Sequence, residues 1–289
     1  LSDVTGLRVS QSGSLGGQTS IFIRGTNSNH VLVLRDGLPI ADPSEPSDAY
    51  NFGVDTLSDI DRIEVVRGPM AAVYGSGAIG GVINLISRRG TEPGIHWEGD
   101  LSGGYPATIR GAISASGVLG RWDFAATVAS QSQQGFDSTP QRMTSYTGTP
   151  QGFRDRVASL NLGFTPIDGT RLSLFLRGRE ATFGFNTLGT PTFDAANSTG
   201  KTDSVLGRIG VASTLFGMWD TNLFVGHQRE DRHYTEPLIA ADPNGTSLDD
   251  RYHSQRTSVQ WNNTVRLDPT TAATFGWEHF EDTIHVRTS

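Results

Sequence analysis

The sequence predicts a mixed fold, in which a small α+β unit is followed by the antiparallel strands of part of a membrane-spanning β-barrel. Two observations carry this prediction. Residues 1–90 combine short apolar, β-rich runs with Gly- and Pro-rich turns, and their periodicity changes within a few residues. Residues 91–289 instead alternate apolar and polar side chains with a period of two.

Within residues 1–90, strands are predicted at 21–24, 31–35, 62–66 and 80–87, where β-branched and other apolar residues cluster. A polar loop at 26–30 separates the first two strands, and Asp36-Gly37 is a turn dipeptide between two apolar runs. Gly68-Pro69 ends the third strand, and Pro69 favours a helical turn over 70–74. The unit is therefore expected to be a compact mixed domain.

Residues 91–289 contain about nine runs of alternating pattern. In the run RLSLFLRG, for example, Leu172, Leu174 and Leu176 share one face, and Arg171 and Arg177 share the other. The connections alternate in length from the second strand onward. Short links are expected at 117–121, 166–169, 217–220 and 268–271, and long ones at 131–153, 183–203 and 231–251. Short turns on one rim and long loops on the other are typical of an outer-membrane barrel, with the short turns on the periplasmic side.

Composition excludes several classes of protein. The net charge of −7 argues against nucleic-acid binding, which needs a basic surface. The absence of cysteine excludes disulfides and thiolate metal sites. No run of apolar residues approaches the length of a transmembrane helix. No nucleophile or acid–base arrangement accompanies the acidic residues, so an enzyme is not predicted.

The run RIEVVRGPMAAVYGSGAIGGVINLISRR at 62–89 resembles the closing motif of the plug domain in TonB-dependent outer-membrane receptors. The family pattern is I-E-x-x-R-G-P, four residues, Y-G, and then A-I-G-G-V-I-N. It is met at Ile63, Glu64, Arg67, Gly68, Pro69, Tyr74, Gly75, Ala78, Ile79, Gly80, Gly81, Val82, Ile83 and Asn84. Segments 1–9 and 20–40 also resemble plug segments, in the same order.

The resemblance implies a plug domain at 1–90 that lacks its N-terminus, and the N-terminal part of a barrel at 91–289. Such a barrel has about 22 strands around a plugged lumen, so about nine strands would make the chain a piece of it. The resemblance also implies the outer membrane of a Gram-negative bacterium, contact with the lipid bilayer, and a partner, TonB, of the inner-membrane energising complex. The segment that contacts TonB would precede Leu1.

Residues 16–44 resemble the vitamin B12 (cobalamin) receptor branch of this family. The resemblance implies a substrate site on the apical plug loops, for a metal chelate that is cobalamin or a related corrinoid, or alternatively a ferric siderophore. The predicted binding residues are Thr26, Asn27, Ser28, Asn29, His30, Asp42, Ser44, Tyr50 and Asn51. A third alternative, from a different class, is a soluble β-rich adhesin or carbohydrate-binding module, because such proteins also alternate apolar and polar residues.

In this family, plug arginines are expected to face glutamates of the barrel wall and to lock the plug in place. Arg24 and Arg67 match these positions, and Glu278 is the expected wall partner. The alternative is that both arginines form salt bridges inside the plug, for instance with Glu64 or Asp36.

No cofactor is required by this interpretation. Calcium orders the loops of some cobalamin receptors and needs six to eight oxygen ligands, but the acidic cluster expected for it is missing here. Only scattered candidates remain: Asp137, Asp155 and Asp194. The seven histidines lack metal-ligand spacing, and we expect most of them to face the lumen or an interface.

Overall fold

The computed structural model describes residues 4–45, 49–70, 74–75, 77–142, 146, 148–185, 198–237 and 247–288. Six strands form the plug: β1 (Leu7–Gln11), β2 (Thr19–Ile23), β3 (Val31–Arg35), β4 (Leu38–Pro39), β5 (Ile60–Arg67) and β6 (Gly81–Ser87). Two 3-10 helices lie between them, at Ser28–His30 and Phe52–Val54. The predicted plug strands are confirmed to within a few residues. Of the predicted helical turn, 71–73 lie outside the described residues, and the amide of Tyr74 donates to the carbonyl oxygen of Met70 at 2.9 Å.

The plug strands form two small sheets. β1 pairs antiparallel with β2. The other four strands lie in the order β4-β3-β6-β5, in which β3 and β6 are parallel and the other pairs are antiparallel. Parallel neighbours need a long crossover, and the chain between β3 and β6 includes the segment 40–59, which reaches the barrel wall.

The nine remaining strands form one antiparallel meander, here called the wall, in the order of the chain. They are β7 (Gly94–Gly104), β8 (Thr108–Leu119), β9 (Trp122–Gln133), β10 (Phe153–Ile167), β11 (Thr170–Gly184), β12 (Thr199–Leu215), β13 (Trp219–Glu236), β14 (Leu248–Arg266) and β15 (Ala272–Arg287). The wall is open, with β7 and β15 at its edges. The expected division near residue 90 falls in the connection between β6 and β7.

The predicted strands and the alternation of short and long connections are confirmed. The short turns at 120–121, 168–169, 216–218 and 267–271 share one rim, and the strand ends that flank the long connections at 134–152, 185–198 and 237–247 share the other. The strands are longer than predicted, up to 19 residues in β14. The ends of these strands at the rim of the long connections, here called the upper ends, carry polar side chains on both faces. Apolar and polar residues therefore do not alternate there, and the sequence pattern does not predict a strand.

The wall exposes its apolar face and buries its polar face, which is the reverse of a sheet in a soluble protein. In β11 the apolar Leu172 and Leu176 are each 44% exposed, whereas Arg177 and Arg179, on the opposite face, are buried. The apolar face points outward and the polar face is covered by the plug. This arrangement fits lipid outside and a filled lumen inside. Among the described residues, no helix has the length and apolar character to cross a membrane.

The plug and the wall share one hydrophobic core. Plug residues such as Ile23, Val33 and Ile83 cluster with Phe175 and Phe224, which project from β11 and β13 of the wall. A small domain buries a limited fraction of its surface by itself. The wall therefore completes the core of the plug, and this brings the polar groups beside that core together.

Candidate functional site

The candidate site is the region where plug segment 42–59 meets the lumen faces of β11 and β13, and we call this region the seam. At its centre, Arg35 of β3 and Arg177 of β11 hold two plug carboxylates between them. Arg177 Nη2 lies 2.8 Å from Asp55 Oδ1, and its Nε lies 3.0 Å from Asp59 Oδ2. Arg35 Nη1 lies 2.8 Å from Asp59 Oδ2, and its Nη2 lies 3.4 Å from Asp55 Oδ2. Two cations and two anions therefore form a neutral cluster, with side chains at most 6% exposed.

Local backbone structure positions the two carboxylates. Asn51 begins the second 3-10 helix, and its side-chain oxygen accepts the amides of Gly53 at 2.9 Å and Thr19 at 3.0 Å. Asp55 follows this helix, and its Oδ1 accepts the amide of Leu57 at 2.9 Å. Leu57 has a φ of 53°, in the left-handed region that a branched residue rarely adopts. These bonds fix the turn that directs Asp55 toward the wall.

Burial and charge act in opposite directions on Asp55. Burial by itself would raise the pKa of its carboxyl group. The neighbouring guanidinium groups of Arg177 and Arg35 lower that pKa by more than burial raises it, so the net pKa lies below its ordinary value. Tyr50, whose hydroxyl donates to Asp55 Oδ2 at 2.6 Å, shows the opposite shift. Burial, followed by the negative charge of Asp55, raises the pKa of Tyr50. Both groups thus keep their ordinary charge state around neutral pH.

We therefore expect the seam to resist acid. A carboxylate with a lowered folded pKa stabilises the fold above its unfolded pKa, and this stabilisation is lost only as pH falls through the lower, folded value. Tyr50 sets the opposite limit, because its raised pKa gives a contribution that is lost as pH rises above the ordinary value of 10.0. Protease access to 42–59 should thus stay constant down to about pH 4 and should increase above about pH 10. Release of the plug near pH 4 would contradict this.

A second group of contacts lies higher in the seam, around Arg232 of β13. Its Nε lies 3.0 Å from Asp42 Oδ2 and its Nη1 lies 3.2 Å from Glu45 Oε2. Its Nη2 donates to Ser44 Oγ at 2.7 Å. Ser254 of β14 adds a hydrogen bond to Asp42 Oδ1 at 3.0 Å. Two wall strands thereby hold the apical plug segment that begins at Asp42.

Arg179 joins the two groups of contacts. Its Nη1 donates to the carbonyl oxygen of Val54 at 2.7 Å, and its Nη2 lies 3.4 Å from Glu230 Oε2. A cavity of about 20 Å³ lies beside it, lined in part by Asp42, Tyr50 and Glu230. This volume is enough for about one water molecule, and the polar lining could hydrogen-bond to it. The seam is thus continuous from the plug core to the apical segment.

The structure separates the predicted substrate residues into two groups. Asp42 and Ser44 bind Arg232, and Tyr50 and Asn51 belong to the seam. The other five predicted residues lie together on the plug around the first 3-10 helix: Thr26, Asn27, Ser28, Asn29 and His30. There the carbonyl oxygen of His30 accepts the amide of Gly80 at 2.8 Å. Substrate binding by either group stays a prediction.

Two of the predicted locking residues, Arg67 and Glu278, have other hydrogen-bond partners. Arg67 Nη1 donates to the carbonyl oxygen of Thr5 at 2.6 Å, and Glu278 Oε1 accepts from Gln260 at 2.5 Å. Within the described ranges, neither Arg24 nor Arg67 forms an ion pair with Glu278. The internal alternative partners are also engaged elsewhere, because Glu64 binds Arg62 at 2.8 Å and Asp36 lies 3.5 Å from Arg89. A locking role for Arg24, Arg67 and Glu278 stays a prediction.

The calcium candidates have separate partners. Asp137 accepts the amides of Thr139 and Gly148, each at 2.8 Å. Asp155 accepts from Thr56 at 2.7 Å, across the seam. Asp194 lies outside the described residues. In the part of the chain that the structure describes, no three His, Asp or Glu side chains are placed to hold a metal ion.

Sequence reasoning missed the residues that fasten plug to wall, namely Arg35, Asp55, Asp59, Arg177 and Arg232. The ion pairs that cross from plug to wall have a polarity opposite to the family expectation, since Arg177 and Arg232 lie on the wall and their carboxylate partners lie on the plug. A partial signal was present, because Arg177 and Arg179 recur on the polar face of β11. Two guanidinium groups on one lumen face suggest carboxylate partners, but the sequence does not say which ones.

Comparison with known proteins agrees with this geometry. Residues 1–82 match the family model described as TonB-dependent Receptor Plug Domain. The fold is similar to the siderophore receptor PiuA from Acinetobacter baumannii, with a TM-score of 0.73 and 15% identity over 97% of this chain and 42% of that one. It is similar to the copper transporter OprC, with a TM-score of 0.78 and 14% identity over 98% and 42%. It is also similar to the ferric yersiniabactin uptake receptor FyuA from Yersinia pestis, with a TM-score of 0.75 and 17% identity over 99% and 46%.

The plug with the wall around it has the fold of the corresponding part of these outer-membrane proteins. More narrowly, the match of residues 1–82 to the plug-domain model covers the six plug strands up to the start of β6, and the nine-stranded wall has the fold of part of a receptor barrel. The chain spans less than half the length of each of these three structures. The soluble adhesin alternative finds no support in this fold.

Proposed function

We propose that the chain belongs to a receptor that takes up a large, scarce metal chelate across the outer membrane, and that its plug blocks the lumen until transport. The observation that carries this proposal is the seam. Buried ion pairs join the plug to the wall and close this side of the lumen, and they must separate before a large ligand passes. Breaking buried ion pairs costs several kcal/mol, so passage needs an external source of work. The inner-membrane partner TonB would supply it.

Two lines of support point to a metal chelate as ligand. The plug sequence at 16–44 resembles the cobalamin branch, and this favours a corrinoid. The similar structures include two siderophore receptors and a copper transporter, and this supports a ferric siderophore at least as well. Both ligand types combine a metal ion with a large organic frame, so metal chelate is the class that both lines share.

A cleft beside the upper ends of β9, β10 and β11 supports binding of a large ligand. It has a volume of about 570 Å³, within the range of small-molecule sites. Amide and aromatic side chains, including Gln133, Gln151 and Phe185, line it, and Arg154 is the one charged residue among the described residues of its lining. Such a lining suits a ligand of low net charge that offers flat apolar surface and hydrogen-bonding groups.

Calorimetry on the full-length receptor in detergent tests the ligand. Cyanocobalamin should bind with a dissociation constant below micromolar if the corrinoid assignment is right. Binding of a ferric siderophore, with no binding of cyanocobalamin at micromolar concentration, would replace the corrinoid by the siderophore. Failure of both ligands to bind would contradict the metal-chelate proposal. Uptake by whole cells should also stop when a protonophore dissipates the proton-motive force.

A further inference from the structure

Four arginines project from the lumen faces of three neighbouring wall strands, β11, β12 and β13. From the long-loop rim downward they are Arg232, Arg179, Arg177 and Arg208, and we call them the arginine ladder. Strand pairing sets Arg232 level with Ala181, two residues above Arg179. It sets Arg208 level with Phe175, two residues below Arg177. The ladder is therefore continuous over a length of about 20 Å along the strands, at about 3.3 Å per residue.

The plug supplies most of the negative charge that faces the arginine ladder. Arg232 and Arg177 each bind two carboxylates of the plug. On the lumen faces of β11, β12 and β13 at these levels, all of which the structure describes, Glu230 is the one wall carboxylate, and it lies 3.4 Å from Arg179. A second wall carboxylate, Asp155, lies on the neighbouring β10. Movement of the plug therefore leaves four guanidinium groups beside two carboxylates, with a net positive charge.

Arg208 differs from the other three arginines because it has no anionic partner even while the plug is in place. It is only 8% exposed. Its Nη1 donates to Ser173 Oγ at 3.5 Å, its guanidinium group lies 4.2 Å from the ring of Phe224, and its buried Nε has no hydrogen-bond partner. In the part of the chain that the structure describes, it forms no ion pair with a carboxylate. The closed plug thus leaves its charge uncompensated.

A structural role does not explain a buried arginine at this position. Moving a guanidinium group from water into a buried site without an anion costs more free energy than one cation–π contact returns. An uncharged side chain could pack against Phe224 without that cost. The charge of Arg208 therefore destabilises the closed state, and we infer that it is needed in the open state, when water and ligand enter the lumen.

We propose that the arginine ladder binds carboxylate or phosphate groups of the ligand when the plug moves, so that these groups take the place of the plug carboxylates. The inference rests on the proposed transport function and narrows its ligand class to a metal chelate with at least one acidic group. Arginine is suited to this exchange because its planar fork donates two parallel hydrogen bonds to a carboxylate or a phosphate. The new ion pairs would return part of the free energy that breaking the seam costs.

Hydrogen exchange of the full-length receptor in detergent tests the ladder without a transported ligand. The amides of β3 and β6 lie in the plug core, so they exchange when the plug leaves the wall. A small anion that binds only the opened lumen favours that state and makes exchange faster. The two probes are tricarballylate for carboxylate groups and inorganic pyrophosphate for phosphate groups, each compared with sodium chloride at equal ionic strength. With a dissociation constant of about 0.5 mM, a probe at about 5 mM should make exchange roughly tenfold faster.

Variants of Arg208 assign the response to the ladder, because this residue takes no part in the ion pairs of the seam. Arg208→Gln should reduce the acceleration to roughly threefold or less, and Arg208→Lys should retain most of it, since an ammonium group keeps the charge. A purely structural role would change exchange in chloride and leave the response to the probes unaltered. The matched control is Arg256→Gln, because the wall itself holds Arg256 through Asp282 at 2.7 and 2.8 Å. This control should respond like the parent.

The outcomes separate this proposal from the proposed function. Equal exchange of the parent receptor in probe and in chloride would overturn the proposal, and so would a full response of Arg208→Gln. Acceleration by one probe alone would support the ladder and assign it to carboxylate or to phosphate groups. Heat-modifiable gel mobility checks that each variant folds, and the comparison on the parent needs no variant. Failure of metal chelates to bind would contradict the transport function and leave the exchange result unaffected.

Discussion

Replacing Arg177 by Met is expected to release the plug from the wall. The substitution keeps an unbranched apolar stem but leaves Asp55 and Asp59 to share the single cation of Arg35. One uncompensated negative charge then remains in a region that is almost fully buried. Removing one partner of a buried ion pair typically costs about 3–5 kcal/mol. Hydrogen exchange of the amides at 54–59 should report this cost as a lower free energy of opening.

Two further variants separate charge from packing. Adding Asp59→Asn to the Arg177 variant restores neutrality, so the double variant should open less readily than Arg177→Met alone. The exposed ion pair of Arg62 with Glu64 provides a matched control on the plug surface. Arg62→Gln should leave the exchange at 54–59 unchanged, since exposed pairs contribute little. Unaltered exchange in the Arg177 variant would show that the cluster does not hold the plug.

Replacing Arg232 by Met is expected to free the apical segment while the plug body stays in place. Arg232 binds Asp42, Ser44 and Glu45 together, and its guanidinium group lies 5.0 Å from the ring of Tyr252. Its side chain is 12% exposed, so we expect a cost of roughly 2–3 kcal/mol, below that of a fully buried pair. Exchange should increase in the described residues of 42–51 and stay constant at 55–59.

The same variant tests whether the apical segment contributes to ligand binding. If Asp42 and Ser44 form part of the site, the freed segment must be ordered again on binding, and affinity for the ligand should fall by roughly tenfold. Arg232→Lys should give an intermediate result, because an ammonium group keeps the charge but cannot bind three partners with one planar fork. Arg229→Met is the matched control, since Arg229 lies on the outer face of the same strand. An equal loss of affinity in the Arg229 variant would argue against the apical site.

The seam explains how a plug of modest core can be both stable and removable. Its apolar core is completed by Phe175 and Phe224 of the wall, and this contribution is lost when the plug moves. The ion pairs beside that core are strong while water is excluded and weaken once water enters, because the effective dielectric constant rises. Separation of plug and wall would therefore be cooperative. The first ion pairs to break would cost the most free energy, and the remaining ones would cost less once water has entered.

The sequence predicted much of the fold because its signals are local. The plug motif at 62–89 spans residues that are neighbours in the chain, and the alternation in each wall strand reads directly as two faces. The alternating lengths of the connections were visible for the same reason. The upper ends of β12, β13 and β14 were underestimated, because side chains there are polar on both faces. Which face of a strand each histidine occupies was left open too, since parity cannot be counted without the strand bounds.

The sequence by itself determined that this chain is a plug followed by wall strands, and that the arginines of β11 lie opposite its leucines. The tertiary structure alone decided which charges meet. Arg177 and Asp55 are 122 positions apart in the chain, and an arginine on a polar strand face has the same sequence pattern whether it contacts water or a buried carboxylate. The physical difference between those two surroundings is the exclusion of water by the plug, which exists only when plug and wall are packed together.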